Sequence, residues 1–386
     1  MNFLRRLPLS RLLLVCVLVV AVGVSATALA FAVGAGPTPP PKPLANAIHD
    51  ALAGAGGQPI EGFSANIVLT DHLLEGASLA TGGGAGSSGG GGGAGELASN
   101  PLITGGSGRL WIAKDGRVRL ELQSQQGDTE IVYDGHTVSL YDTATNTIYR
   151  YTPPAHEGNG TSGPKASGTQ QHEVPSVAKI EEAISHLSKH ADVSGATPTD
   201  VAGQPAYTVR VSPNEGGSLF GGVQLSFDAA HGVPLRAAVY SSTSSAPVIE
   251  LAATEVSYGS VSDSVFTLNP PPNSKVEEVT LPNEDHTSHP QGSDGAGKPT
   301  VTTHGHGVTA IAVLASSRYG ENKAKAGAKG AGEALAGLPK VSINGASASE
   351  LRTELGTVLS FERSGVNYLL AGSVTPAAIE AVARGL

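Results

Sequence analysis

Cysteine is nearly absent from this chain of 386 residues. The single cysteine, Cys16, lies inside an apolar run near the N-terminus, so the sequence excludes a disulfide framework. Aromatic residues make up only 4% of the chain, so a packed core has to rest on Val, Leu, Ile and Ala. The formal net charge is −9 and the basic residues form no stripe, which argues against a nucleic-acid-binding protein.

Signatures of catalysis and of metal binding are also lacking. Residues 84–89 match G-x-G-x-x-G, but they lie in a glycine tract without the strand and helix that give the motif its meaning. Residues 292–298 begin like a P-loop, yet Pro299 stands where Ser or Thr would bind magnesium. His186 and His190 supply two ligands where a zinc site needs three or four. We therefore expect no enzyme activity, no metal and no cofactor.

A long apolar run dominates the N-terminus. Residues 12–35 carry no charge and follow three arginines. Such a run can cross a bilayer, which takes roughly 20 apolar residues, and the preceding arginines place the N-terminus in the cytoplasm. Small residues near its end also fit signal-peptide cleavage. Residues 1–35 are thus predicted as a signal peptide or a membrane anchor. The length favours the anchor, and the bulk of the chain is extracytoplasmic, membrane-anchored or secreted.

Composition divides the remainder of the chain into segments. The predicted segments are a Pro-rich spacer with a short helix at 36–59, a main domain at 60–281 with a Gly-rich insert at 76–107, a linker at 282–299 and a small C-terminal α+β module at 300–386. In that module, we expect strands at 308–315 and 366–374 and a helix over 375–386.

The main domain is predicted to form a β-meander. Asp134-Gly135 is a strong hairpin signal, because glycine accepts positive φ. Strands are predicted at 64–74, 109–114, 117–123, 129–134, 136–142, 147–152, 205–212, 222–228, 234–241, 247–258 and 264–268. Helices are predicted at 44–52 and 176–190. The alternation gives the sheet one apolar face that needs a cover, and two helices over a strongly curved sheet leave room for an apolar cavity.

Three segments carry a resemblance to a known family. Gly108-x-Leu110-Trp111-Ile112, Val118-Arg119-Leu120-Glu121-Leu122 and Ile131-Val132-x-Asp134-Gly135-x-x-Val138-x-x-Tyr141-Asp142 resemble the periplasmic lipoprotein carriers (LolA/LolB-like). The resemblance covers roughly residues 60–280, and Val265-Phe266-x-Leu268-x-Pro270-Pro271 resembles the family's ending. It implies an antiparallel sheet curled into a half-open barrel, covered by helices, with a cavity for acyl chains. The added C-terminal module also resembles the layout of RseB-type envelope-stress regulators, which bind an anti-sigma factor.

The sequence therefore predicts a non-enzymatic, extracytoplasmic carrier of lipid or lipoprotein acyl chains. The alternatives are an envelope-stress regulator that binds a membrane partner through residues 300–386, and a secreted structural module whose sheet is fully packed. For any single apolar position taken alone, ordinary sheet core is the better interpretation. The residues predicted to line the cavity are Leu110, Ile112, Val118, Leu120, Leu122, Val138, Leu140, Val209, Leu225, Phe227 and Val239.

Overall fold

The computed structural model describes residues 36–54, 60–74, 101–125, 127–153, 174–279, 300–317 and 338–386. Two sheets and few helices make it an α+β fold, as predicted. The predicted N-terminal membrane segment and the Gly-rich tract lie outside these ranges, as does the proposed linker. Within the described ranges, no helix has the length and apolar character needed to cross a membrane.

The large sheet has 13 strands. They are β1 (Gly62–Asp71), β2 (Gly106–Ala113), β3 (Val118–Ser124), β4 (Gly127–Tyr133), β5 (Val138–Asp142), β6 (Thr147–Tyr151), β7 (Ala191–Val193), β8 (Thr197–Val201), β9 (Gln204–Pro213), β10 (Phe220–Asp228), β11 (Pro234–Ser241), β12 (Pro247–Tyr258) and β13 (Lys275–Glu278). The order is β13-β6-β5-β4-β3-β2-β1-β12-β11-β10-β9-β7, and β8 also pairs with β9.

Local sequence explains most of these strands. Burial alternates along β1, as expected for a strand with one face on the core. Gly116 and Gly135 have φ angles of 88° and 100°, which a glycine adopts without strain, and they turn the chain between β2 and β3 and between β4 and β5. The predicted meander over residues 108–151 is confirmed.

The sheet is open and curled. β8 contacts β12 although three strands separate them in the sheet, which requires strong curvature, and the sheet does not close into a barrel. The expectation of a purely antiparallel sheet is wrong at one edge, where β13 runs parallel to β6. The strand predicted at residues 264–268 is also wrong. Residues Asp263–Phe266 instead form a 3-10 turn that lies against β3.

Three short helices accompany the large sheet: α1 (Leu44–Ala53), α2 (Pro101–Thr104) and α3 (Val177–Leu187). α1 packs on β9 and β10 through Ala47, which contacts the cluster of Tyr207 and Phe227. α3 begins at Ser176, whose side chain accepts a hydrogen bond from the Lys179 amide. The expectation that α3 covers the sheet is only partly met, because α3 packs mainly against α1 and β7.

The C-terminal sheet has six strands, with helix α4 on one face. It comprises β14 (Thr300–His304), β15 (Ile311–Ser317), β16 (Lys340–Ile343), β17 (Ala346–Thr353), β18 (Gly356–Arg363), β19 (Val366–Gly372) and α4 (Pro376–Arg384), in the strand order β14-β15-β19-β18-β17-β16. Ile379 and Ala383 of α4 are fully buried against Leu359 and Leu370. The module is larger than the two strands and one helix expected.

The two sheets touch through loops. The amide of Leu219 and the hydroxyl of Ser218 both donate hydrogen bonds to the carbonyl oxygen of Ser373, each at 2.8 Å. The amide of Glu354 donates to the carbonyl oxygen of Leu73, just after β1, at 3.4 Å. The C-terminal module therefore sits at the end of the large sheet where β1 finishes.

Candidate functional site: the inner face of the large sheet

Strand register brings the eleven predicted cavity residues to one face. Leu110 lies opposite Leu120, and Val209 lies opposite Leu225. Leu225 is linked through Ala237, Leu251 and Leu69 to the same face of β2. Because side chains alternate along a strand, these pairings place all eleven on one surface. We call this surface the inner face.

The middle of the inner face is packed core. Leu120 and Leu122 are buried in a cluster with Phe63, Ile67 and Leu251. The enclosed space beside these residues is about 30 Å³, which is the room of one water molecule. Small-molecule pockets usually measure about 300–1,000 Å³. For Leu120 and Leu122, the plain-core interpretation is therefore the better one.

Both flanks of the inner face are less covered. On one flank, Val118, Val138 and Leu140 are half-buried. On the other flank, Leu225 is 40% exposed and Val239 is half-buried. Of the remaining predicted residues, Leu110 and Ile112 are half-buried beside the central cluster. Under α1, Val209 is half-buried and Phe227 is buried. Apolar surface of this kind is available to a ligand without opening the core.

The register also adds residues that the sequence interpretation missed. Ile131 lies opposite Leu140, which in turn lies opposite Tyr149, and Val138 lies between Tyr133 and Tyr151. All four added side chains are half-buried. Tyrosine has an apolar ring with a polar tip, so this flank suits an amphipathic ligand. The alternation around Val138 and Leu140 was the signal that could have identified them.

The opposite, outer face carries a strap formed by residues 262–279. Arg119 holds it, donating hydrogen bonds to the carbonyl oxygens of Val265 and Thr267 at 2.8 and 3.3 Å. The same guanidinium pairs with Glu121 and Glu130 at 2.7 and 2.9 Å. Burial raises the pKa of Glu130, and the charge of Arg119 opposes that rise.

The outer face of β4–β6 is more deeply buried than the alternation predicts. Val132 lies opposite Arg119, and Tyr141 lies opposite Ile148. All three apolar side chains are buried on the side of the strap. The alternation places Tyr141 on the face opposite Leu140, and the register agrees, but the side chain is buried on that face. The strap runs from its contact with Arg119 on β3 to the pairing of β13 with β6, so it crosses this same side of the strands.

One histidine lies in a compact polar cluster. His231 Nδ1 lies 3.1 Å from Asp228 Oδ1, and the Tyr258 hydroxyl donates to Asp228 Oδ2 at 2.8 Å. Burial and the neighbouring carboxylate raise the pKa of Tyr258. The backbone amides of Ala230 and His231 donate to Asp228 Oδ1, so this aspartate fixes the β10–β11 turn. Within the described ranges, no group of three or more His, Cys, Asp or Glu side chains could hold a metal ion.

Comparison with known proteins gives a weak and consistent result. No family model and no curated protein matches the sequence. Among solved structures, MucB in complex with MucA(peri) is 14% identical with a TM-score of 0.41 and covers 88% of this chain and 97% of its own. The MucA/MucB complex of Pseudomonas aeruginosa is 15% identical with a TM-score of 0.39 and covers 88% and 96%. A LolA superfamily protein from Nitrosomonas europaea is 7% identical with a TM-score of 0.19 and covers 85% and 90%.

The structural neighbours thus include MucB, a protein of the RseB type, and a LolA superfamily protein. These are the two kinds of protein that the sequence resembles. Identities of 15% and lower with TM-scores of 0.41 and lower do not assign the chain to either family.

Proposed function

We propose that the protein is a non-enzymatic, extracytoplasmic binding protein that holds the acyl chains of a lipid or lipoprotein against the inner face. The observation that carries the proposal is the half-covered apolar surface on β3–β6, where Val118, Ile131, Val138 and Leu140 lie side by side. Each methylene that leaves water there contributes about 0.8 kcal/mol, so a chain needs no charged contact to be held. The apolar N-terminal run supports a location outside the cytoplasm.

The flank, and not the centre, is the place to test this function. Leu120 is buried in the central cluster, and a charge there would unfold the domain. Val138 is half-buried at the edge of the inner face, so Val138→Glu leaves the core intact. Val276 on β13 is 48% exposed and lies outside the inner face, which makes Val276→Glu the matched control.

The experiment is native mass spectrometry of the protein from its producing cells, followed by organic extraction and by addition of a long-chain fatty acid. We expect a bound acyl species in the wild type and in Val276→Glu. Val138→Glu should bind the fatty acid about tenfold more weakly, because the new carboxylate would have to be buried under the acyl chain. Absence of bound lipid and of uptake in the folded wild type would refute the proposal.

A second candidate function has one observation in its favour. β14 is an edge strand of the C-terminal sheet, its five residues are all exposed, and Val301 is 68% exposed. Such an edge can accept a strand from a protein partner, as a regulator of a membrane protein would require. Cross-linking from position 301 in the producing cells tests it: a specific protein adduct, absent when the neighbouring Thr302 is replaced by Pro, would favour the regulator. Absence of any such adduct would count against it.

A further inference from the structure

The inner face ends in a row of polar residues. Thr129, Asp142 and Thr147 lie opposite one another on β4, β5 and β6, next to the hairpin that joins β5 to β6. Leu122 on β3 lies opposite Thr129 and continues the row. Because alternate residues share a face, the three polar side chains lie on the same side as Leu140.

This row is buried and not fully paired. Thr129, Thr147 and Asp142 are 2%, 5% and 8% exposed. The Thr147 hydroxyl donates to the Thr145 carbonyl at 3.1 Å, and Asp142 Oδ1 accepts the Ala144 amide at 2.9 Å. Oγ1 of Thr129 has no hydrogen-bond partner among the residues that the structure describes. A buried hydroxyl without a hydrogen-bond partner destabilises the fold. Its presence at the end of a binding face points to a ligand that supplies the missing partner.

The charge of the row indicates the ligand's chemistry. Asp142 forms no ion pair within the described part of the chain. A buried carboxylate is costly unless a cation or several donors face it. Thr129 can accept a hydrogen bond at the same place. An ammonium group supplies both the positive charge and three donors.

We propose that Thr129, Asp142 and Thr147 form a subsite for the cationic amine of an acyl-chain ligand. The hydrocarbon then lies along Ile131 and Leu140. This inference rests on the proposed function and specifies the ligand's head. Two sources offer the same chemistry: the head group of phosphatidylethanolamine, and the free N-terminal amine of a diacylated peptide.

Two variants separate the subsite from the fold. Asp142→Asn keeps an oxygen that accepts the Ala144 amide and removes the charge. Thr129→Val removes the unpaired hydroxyl at nearly constant volume, so it does not reduce stability. Ser139→Ala is the matched control, because Ser139 is buried on the same strand as Asp142 but faces the outer side.

The test measures competition by native mass spectrometry on the full-length protein, with monomeric dihexanoyl phosphatidylethanolamine and dihexanoyl phosphatidylglycerol as probes. We expect the wild type to prefer the amine lipid by about tenfold or more, the range for a charge-assisted hydrogen bond. Asp142→Asn should abolish the preference, Thr129→Val should reduce it, and Ser139→Ala should keep it.

Equal binding of both lipids by the wild type, or an unchanged preference in Asp142→Asn and Thr129→Val, would overturn the subsite and leave the acyl-binding function standing. Failure of the wild type to bind either lipid would overturn both. A diacylated peptide with a free or an acetylated N-terminus then distinguishes the sources. If only the free form competes, and does so better than the phospholipid, the lipoprotein amine is the ligand. If the phospholipid competes better than both peptides, its head group is the ligand.

Discussion

Replacing Asp71 by asparagine should stabilise the protein at neutral pH and change little below about pH 4. Asp71 is the last residue of β1, where burial raises the pKa of its carboxyl group from the ordinary 3.8 to about 6. The Leu73 amide donates to Asp71 Oδ1 at 2.6 Å and opposes this rise, as does His72. The Leu73 carbonyl oxygen in turn accepts a hydrogen bond from the Glu354 amide of the C-terminal module, so Asp71 holds a turn at which the two sheets touch.

Proton linkage determines how the stability of the protein changes with pH. The folded protein binds the Asp71 proton more tightly than the unfolded chain does, so this stabilisation is complete below about pH 4. It falls as the pH rises through the two pKa values and is lost above about pH 6. Each unit of difference between the folded and unfolded pKa corresponds to about 1.4 kcal/mol of unfolding free energy. The rise of the Asp71 pKa from 3.8 to about 6 therefore corresponds to about 3 kcal/mol. The asparagine side chain of Asp71→Asn keeps an oxygen for the Leu73 amide and never ionises.

Thermal unfolding of the wild type and of Asp71→Asn at pH 4 and at pH 7.5 measures the effect. Trp111 is the only tryptophan and lies on β2, so its fluorescence reports on the large sheet. At pH 7.5, about 3 kcal/mol should raise the midpoint of Asp71→Asn by roughly 5–10 °C, and at pH 4 the midpoints should nearly coincide. Asp192→Asn, at an exposed position on β7, is the control and should show neither effect. An equal gain at both pH values, or a loss at pH 7.5, would refute the reasoning.

Three further predictions concern the fold that supports the site. Gly108→Ala should be severely destabilising, by about 1–3 kcal/mol or more, because a β-carbon there would lie 1.7 Å from the Glu121 carbonyl oxygen; Gly195→Ala, in open space, should be nearly neutral by thermal unfolding. Arg119→Met should lower the free energy of unfolding by about 3–5 kcal/mol and release the strap, since it leaves Glu130 unpaired and removes two hydrogen bonds to the strap. Amide hydrogen exchange that is faster than in the wild type only at residues 262–279 would show the release, and unchanged exchange would contradict it. Leu359→Ala should destabilise the C-terminal sheet by about 2–5 kcal/mol and leave the midpoint of the Trp111 fluorescence transition in place; a lowered Trp111 midpoint would contradict independent unfolding of the two sheets.

The sequence predicts those parts of the fold whose signals are local. Alternation and Asp-Gly turns locate β2–β6, and the register then assembles the inner face from residues that alternation had already grouped. β7, β8 and β13 have three to five residues each and depend on pairing with β9 or β6, so nothing within them reveals a strand. The turn at Asp263–Phe266 is held by Arg119 from a strand 146 residues earlier along the chain, a contact that periodicity cannot show.

The C-terminal sheet shows a different reason for failure. β16 is only four residues long, and β17 carries Ala, Ser and Glu at most of its positions, so their apolar pattern is faint. A usable signal was nevertheless present. Asn344 and Gly345 have φ angles of 48° and 87°, the geometry of a two-residue hairpin, and Asn-Gly between two short runs is a hairpin signal in its own right. The polar row at Thr129, Asp142 and Thr147 could not have been predicted, because register joins it across three strands.

The strap on the outer face accounts for an inner face that stays half covered. A sheet has to bury one apolar face to be stable, and on β4–β6 that burial is provided by Val132, Tyr141 and Ile148 beneath the side that carries the strap. Pairing of β13 with β6 and the hydrogen bonds of Arg119 fix the strap there. The inner surface of the same strands therefore contributes less to folding. It can keep Val138 and Leu140 accessible, while Leu120 and Leu122 on β3 are buried in the central cluster with residues of β1 and β12.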